Sequence, residues 1–440
     1  MRNEAIKDRT EESAQPHRLR ILIVGDAVVP TGYARVLRAI FGPLRTRYEL
    51  HQLATRYDGS THNWPWTLYR AADYGDPYGM ERLPQLVDEL KPDIIFILYD
   101  LSYQARYLAR IQSARWKAAV VVYSPIESGP IEPEILAGLN GVSRYVVFTE
   151  YSRDVVLAAC CSPHADPGRT GLPVPQVIPH GVDTIQFSPI GQGDGNGLAV
   201  PADARTSART QLGMTEPEFE NAFIVLNANR NLPKKRMDVT IEGFALFAKG
   251  KPANVKLFLH TQLQAQGWNV QLLARRYGVM DRLILSTAND DAPDVSSDRL
   301  NLIYNACDVG VNTSINEGWG LVSFEHGATR SAQVVAGNPC LKQLWGDSAV
   351  VLEPCMMLTN PGTHTTGYFV SPQSLCAALE RLYADRTLCD NMAQRAFQNA
   401  TQSKYAWPTI CDQWDALLQE VHQLRFHALE QASRHREVLS

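Results

Sequence analysis

Residues Arg20–Leu44 read RILIVGDAVVPTGYARVLRAIFGPL. The apolar run Arg20–Val24 ends on Gly25-Asp26. A turn-rich segment, VVPTGY, follows, and a helical pattern then runs through Leu44. A strand with no polar alternation is covered on both faces, and a glycine turn feeding a helix is the start of a parallel α/β unit. The pattern continues downstream. Apolar runs at Ile94–Leu98, Ala119–Tyr123, Tyr145–Phe148 and Val177–Ile178 are separated by helical stretches at Glu81–Leu90, Ser102–Ala114, Ile131–Leu139 and Ser152–Ala159. It begins again with strands expected at Phe223–Asn227, Val255–Leu259, Leu283–Leu285, Asp308–Asn312 and Gln333–Ala336. The expectation is an α/β protein of two doubly wound, Rossmann-like domains.

Composition agrees with a folded protein. In 440 residues, 45% are hydrophobic and 20% charged, which excludes a mainly disordered chain. Lys and Arg number 42 against 46 Asp and Glu, so the net charge of −4 does not mark a dedicated nucleic-acid binder. No apolar stretch approaches the roughly 20 residues of a membrane-spanning helix. The charged start, MRNEAIKDRTEESAQPHRLR, has no signal-peptide core and reads as a solvated, flexible tail. None of the eight cysteines forms a C-x-x-C pair, so neither a zinc site nor a disulfide framework is expected, and the natural setting is reducing and cytoplasmic.

The Gly/Pro-rich stretch Ser188–Ala202 is the best linker candidate. The expected organisation is a tail over 1–19, a first domain over 20–187, a linker over 188–204, a second domain over 205–405 and a closing helix over 406–440. In that last segment Trp414, Leu417, Leu418, Val421 and Leu424 repeat at helical spacing, as for a helix packed on a domain surface or crossing back onto the first domain.

Four segments carry residues suited to chemistry. Pro30-Thr31-Gly32-Tyr33 turns from strand to helix, where backbone N–H groups suit a phosphate or a sugar hydroxyl; a tight turn with no ligand is the alternative. Asn229–Arg236 places Arg230 and Lys235 on a loop after a strand, cations suited to a diphosphate. A solvated basic turn reads equally well. Asn316–Glu325 carries Glu317 and Glu325 around Gly318 and Gly320, and carboxylates accept hydrogen bonds from paired hydroxyls. The alternative is a helix-start Glu beside a surface Glu. Ile178–Pro189 contains His180, more readily a structural histidine than a catalytic one.

In this order and spacing the segments resemble the retaining glycosyltransferases of family 4. That family's I-P-x-G-V-D-x-x-x-F-x-P is matched by Ile178–Pro189, its G-R-x-x-x-x-K by Asn229, Arg230 and Lys235, and its S-x-x-E-G-F-G-L-x-x-x-E-A-x-A by Ser314–Ala328. Tyr304–Val309 and Phe148–Ser152 are also similar to it, and the likeness runs over about residues 20 to 420. The resemblance implies the GT-B fold and transfer of a sugar from a nucleotide diphosphate to an acceptor hydroxyl, without a metal. It implies that Arg230 and Lys235 bind the diphosphate, Glu325 the ribose hydroxyls and Glu317 the donor sugar. The backbone N–H groups of Gly318, Trp319, Gly320 and Leu321 would lie near the sugar and phosphate, with Gly32 letting the first-domain loop approach the donor.

The chain departs from the pattern in four places. Gly32 stands alone where a glycine pair is usual, and Ser124–Ser128 has no histidine. Trp319 replaces Phe, and His326 follows Glu325 in place of Ala. Glu127 is open to a polar role in the missing histidine's place or to a loop surface. The aromatic segment His51–Gly79 is open as an acceptor site or as a packed cover over the sheet. The acceptor class, whether small molecule, glycan, protein or nucleic acid, is left open. A sugar-nucleotide epimerase, a phosphorylase and a non-catalytic nucleotide-sugar binder are the rival readings.

Overall fold

The computed structural model describes residues 18–162, 171–191, 202–219, 221–287, 293 and 295–439, with side chains of the last helix described as far as Arg425. The tail before residue 18, the centre of the expected linker and most of the acidic loop near residue 290 lie outside this set.

The first sheet is parallel throughout, with seven strands: β1 (Arg20–Asp26), β2 (Glu49–Thr55), β3 (Thr67–Arg70), β4 (Ile94–Leu98), β5 (Ala119–Ser124), β6 (Arg144–Val147) and β7 (Gln176–Val177). Their spatial order is β3-β2-β1-β4-β5-β6-β7. The second sheet has six parallel strands: β8 (Phe223–Asn227), β9 (Val255–Leu259), β10 (Leu283–Leu285), β11 (Val309–Asn312), β12 (Ala332–Ala336) and β13 (Val350–Leu352), in the order β10-β9-β8-β11-β12-β13. An antiparallel hairpin, β14 (Met356–Thr359) with β15 (Thr366–Phe369), follows the second sheet. The two-domain doubly wound expectation is therefore what the chain forms.

The strand order reverses at β1/β4 in the first sheet and at β8/β11 in the second. Loops leaving such points diverge to opposite faces and open a crevice at the strands' carboxyl ends. The loops after β1, β8 and β11 are the three that carry Gly32, Arg230 with Lys235, and Glu317. Topology thus gathers the candidate residues.

The expected central strands are present with small changes at their ends. The sequence reading missed β2, β3, β13 and the hairpin. β2 (ELHQLAT) carries His51 and Gln52, polar residues that interrupt an apolar run. Gln52 is nevertheless fully buried: its amide donates to the carbonyls of Gly25 (3.2 Å) and Asp26 (3.0 Å), and its oxygen accepts from the Trp64 and Trp66 indoles (3.1 and 2.9 Å). Trp64 and Trp66 are therefore part of a cover over the sheet edge, and this half of the aromatic segment is packing.

The C-terminal helix Trp407–Leu439 crosses back onto the first domain. Trp414 is fully buried against Phe96 (ring centroids 5.0 Å apart) and Tyr123 (4.8 Å). Asp415 accepts from the Tyr48 hydroxyl (2.6 Å) and pairs with Arg47, and Arg425 reaches Asp93 (3.1 Å). Leu424, placed on the apolar stripe by spacing, is half exposed. Among the described residues no helix is long and apolar enough to cross a membrane. All eight cysteines are free thiols.

Candidate functional site

The second-domain site is two loops knitted together. After β8, the buried Asn227 side chain caps the turn by accepting from the Asn229 N–H (3.0 Å). The loop closes on Arg236, whose φ of 52° is left-handed. After β11, Thr313 donates to the carbonyls of Lys235 and Arg236 (both 3.0 Å), and the Ile315 N–H donates to the Lys234 carbonyl (2.9 Å). The cations are consequently held beside the Glu317 loop.

Lys235 and Glu317 form a buried ion pair, the two residues 9% and 5% exposed. Glu317 also accepts from Asn312 (3.1 Å) and Ser314 (2.9 Å). Burial would raise the Glu317 carboxyl, but Lys235, then Lys234 and the Asn312 amide, hold it below the usual glutamate range. Burial lowers the Lys235 ammonium, with Glu317 opposing. Each charge offsets part of the cost of burying the other.

Gly320 begins the helix Leu321–Ala328 with a φ of 87°, a left-handed value that suits glycine. The Ser323 and Phe324 N–H groups donate to the Gly320 carbonyl (3.1 and 3.4 Å), which leaves those of Leu321 and Val322 at the helix start, the kind of donors that receive an anion. Glu325 lies one turn further on, 3% exposed; it accepts from the Tyr304 hydroxyl (2.9 Å) and pairs with Arg35 of the first domain. A Cβ on Gly32 would meet Leu321 Cδ1 at 3.4 Å, so the first-domain glycine turn approaches the start of this helix.

The first domain supplies the facing wall. Asp26, fully buried at the end of β1, accepts from Thr31 (2.8 Å), Thr55 (2.7 Å) and the Arg56 guanidinium, which holds the Gly32 turn in place. Tyr33 donates to Asp100 (2.6 Å). Its phenol is driven well above the ordinary range by burial and then by Asp100 and Glu127, with Arg230 opposing, so the exposed Arg230 acts across the cleft. Glu127 pairs with Lys234 across the cleft at 2.6 Å. Burial would lower the Lys234 ammonium, but Glu127 prevails and holds it above the usual lysine range.

The structure thus brings together Gly32, Arg230, Lys235, Glu317, Gly318, Gly320, Leu321 and Glu325. One side chain among the expected residues turns away from the loop. The Trp319 side chain is 3% exposed and stacks on Phe324 (4.8 Å), between His180 (5.7 Å) and Tyr405 (5.3 Å), so only its backbone is available to a ligand. His180 is structural: it is buried, bonds the Tyr123 hydroxyl (2.9 Å), and burial pushes its pKa down to about 3. Sequence reasoning missed Arg35 and the part played by Tyr304. Arg35 falls three residues after Gly32, in the first turn of the helix, and that placement is the only signal the sequence carried. Among the described residues no group of three or more His, Cys, Asp and Glu side chains is placed to hold a metal ion.

No family model matches the chain. It is 32% identical over 179 residues to a D-inositol 3-phosphate glycosyltransferase of Geodermatophilus obscurus, a match covering 39% of this chain and 34% of that protein. A second protein of the same name, from Mycolicibacterium gilvum, is 28% identical over 260 residues, covering 56% of this chain and 51% of that one. The chain therefore spans about a third to a half of the length of these relatives. Among solved structures, the Anabaena HepE protein in complex with UDP and glucose superposes with a TM-score of 0.65 at 18% identity, covering 92% of this chain and 100% of that one. At that identity the likeness speaks for architecture: two doubly wound domains facing a cleft, the GT-B fold.

Proposed function

We propose that the chain is a retaining glycosyltransferase of family 4 that moves a hexosyl group from a nucleoside diphosphate sugar to an acceptor hydroxyl. One observation carries the proposal. Arg230 and Lys235 on the loop after β8, and Glu317 and Glu325 on the loop and helix after β11, share the second sheet's reversal point, with Lys235 paired to Glu317 and the Gly32 turn of the first sheet's reversal point lying beside Leu321. Relatives named glycosyltransferases and a GT-B neighbour holding UDP and glucose support it.

In this reading Glu325 accepts the ribose hydroxyls. Arg230, Lys235 and the first N–H groups of the Leu321–Ala328 helix receive the diphosphate. The bond between the sugar's anomeric carbon and the phosphate oxygen breaks with its electron pair going to the phosphate, where preorganised cations stabilise the developing charge. The acceptor oxygen attacks the face the diphosphate leaves, and its proton passes to a leaving phosphate oxygen. Glu317 holds the sugar, and closure of the two domains excludes water. The reading assigns no catalytic role to a metal.

The test combines UDP-, GDP- and ADP-sugars with a panel of polyols, glycans and peptides while nucleoside diphosphate release is followed. The account expects release that depends on one acceptor and a product with the donor's anomeric configuration by proton NMR. Acceptor-independent release or an inverted anomer contradicts it.

A further inference from the structure

We infer that Arg35 is a donor-binding residue contributed by the first domain, which grips the nucleotide's ribose diol together with Glu325. The inference rests on the donor-site reading above and adds to it the residue that lets the first domain sense the nucleotide.

The argument begins with lone pairs. A carboxylate offers about four acceptor positions on its two oxygens. Glu325 uses one oxygen for the Tyr304 hydroxyl (2.9 Å) and the other for Arg35. Each oxygen keeps a position, and a vicinal diol brings two hydroxyl donors. Arg35 uses one nitrogen on Glu325, while its guanidinium carries five N–H donors and its side chain is 47% exposed to the cleft. Its remaining donors are free to meet hydroxyl oxygens. The pair thus offers acceptors and donors side by side, and a diol hydroxyl both donates and accepts. A carboxylate alone satisfies only half of that capacity.

The arrangement also has a direction. Tyr304 and Glu325 belong to the second domain, and Tyr304 is buried against the layer behind Glu325. Arg35 rides on the Gly32–Leu44 helix, whose start is held by the Thr31 hydroxyl accepting from the Ala34 N–H (3.2 Å) and donating to buried Asp26 (2.8 Å). It meets Glu325 where the Gly32 turn lies beside Leu321 at the start of the second-domain helix. A ribose between the two groups is therefore held from both sides of the cleft, and losing either hydroxyl costs a donor and an acceptor contact together.

The test titrates wild type and Arg35→Ala with UDP, GDP and ADP and with their 2′-deoxy counterparts, by calorimetry. Removing a charge-assisted hydrogen bond changes affinity by about tenfold or more. Wild type should prefer the ribonucleotide to the deoxynucleotide by about tenfold. Arg35→Ala should bind the ribonucleotide about tenfold more weakly and lose most of that preference, and Arg35→Lys, which keeps a donor, should recover part of both. Tighter nucleotide binding by Arg35→Ala would make Arg35 a mere placeholder on Glu325 and overturn the inference. An unchanged preference in a folded Arg35→Ala chain overturns it too, leaving the donor site intact. Failure of the wild type to bind any of the nucleotides overturns the donor-site reading and this inference with it.

Discussion

Replacing Lys235 by methionine keeps the length of the side chain and removes its charge. Glu317 then stays behind as a buried carboxylate with two neutral donors, Asn312 and Ser314. Removing one partner of a buried ion pair costs about 3–5 kcal/mol. The two remaining donors hold the value at the lower end, so Lys235→Met should destabilise the fold by about 3 kcal/mol at pH 7.5. Lys235→Met/Glu317→Gln removes the stranded charge and should regain about 2 kcal/mol of that loss. The loss also depends on pH. Without Lys235 the folded-state pKa of Glu317 rises above its unfolded value, so the folded state takes up a proton first. The variant's deficit is then small at pH 5 and grows towards pH 8. Urea unfolding followed by tryptophan fluorescence, run as a double-mutant cycle at both pH values, measures this. Additive losses, or a Lys235→Met midpoint equal to wild type, would show that the pair does not hold these loops and refute the reasoning.

Three further outcomes follow from the same structure. Glu325→Gln should weaken binding of the bare nucleoside diphosphate about tenfold, whereas Glu317→Gln, which frees Lys235 from its ion pair, should not weaken it and should cut turnover about 10²-fold; titration and rate measurements on both variants separate the roles. His180 and His326 are buried, and burial pushes both pKa values down to about 3 from 6.5. Between those values the unfolded chain binds more protons, so stability falls as pH drops below 6.5, by about 2 kcal/mol per histidine at pH 5, and a melting temperature flat from pH 7 to 5 contradicts this. A Cβ on Gly181 would lie 2.6 Å from the Trp407 ring, so Gly181→Ala should cost about 1–3 kcal/mol in thermal unfolding by displacing the start of the C-terminal helix; an unchanged melting temperature would mean that the ring yields freely.

The fold was legible where strands lie between two helical layers, because such strands are apolar without interruption. It was illegible at β2, where the buried polar Gln52 serves two backbone carbonyls and two indoles, a demand that appears only once Trp64 and Trp66 fold over it. β14 was missed for the opposite reason: Met356, Met357 and Leu358 are exposed, so no burial pattern marks them. The second-domain site was readable because each of its two loops carries its own pair within a few positions, Arg230 with Lys235 and Glu317 with Glu325, directly after an apolar strand. The first-domain wall was not. Arg35 and Glu127 take their meaning from Glu325 and Lys234, 290 and 107 residues away in sequence, and no local pattern records which loop will face which. Trp319 shows the converse limit: a residue inside a matching motif turned its side chain into the core, because the turn at Gly320 points the indole at Phe324.

A crystal structure of the chain with the nucleoside diphosphate it binds most tightly tests the central claim most directly. The account predicts the ribose diol on Glu325 and the diphosphate between Arg230, Lys235 and the start of the Leu321–Ala328 helix, with the first-domain Gly32 turn closed over it. A nucleotide bound at the carboxyl ends of the first sheet, or clear of Glu325 and Lys235, would contradict it.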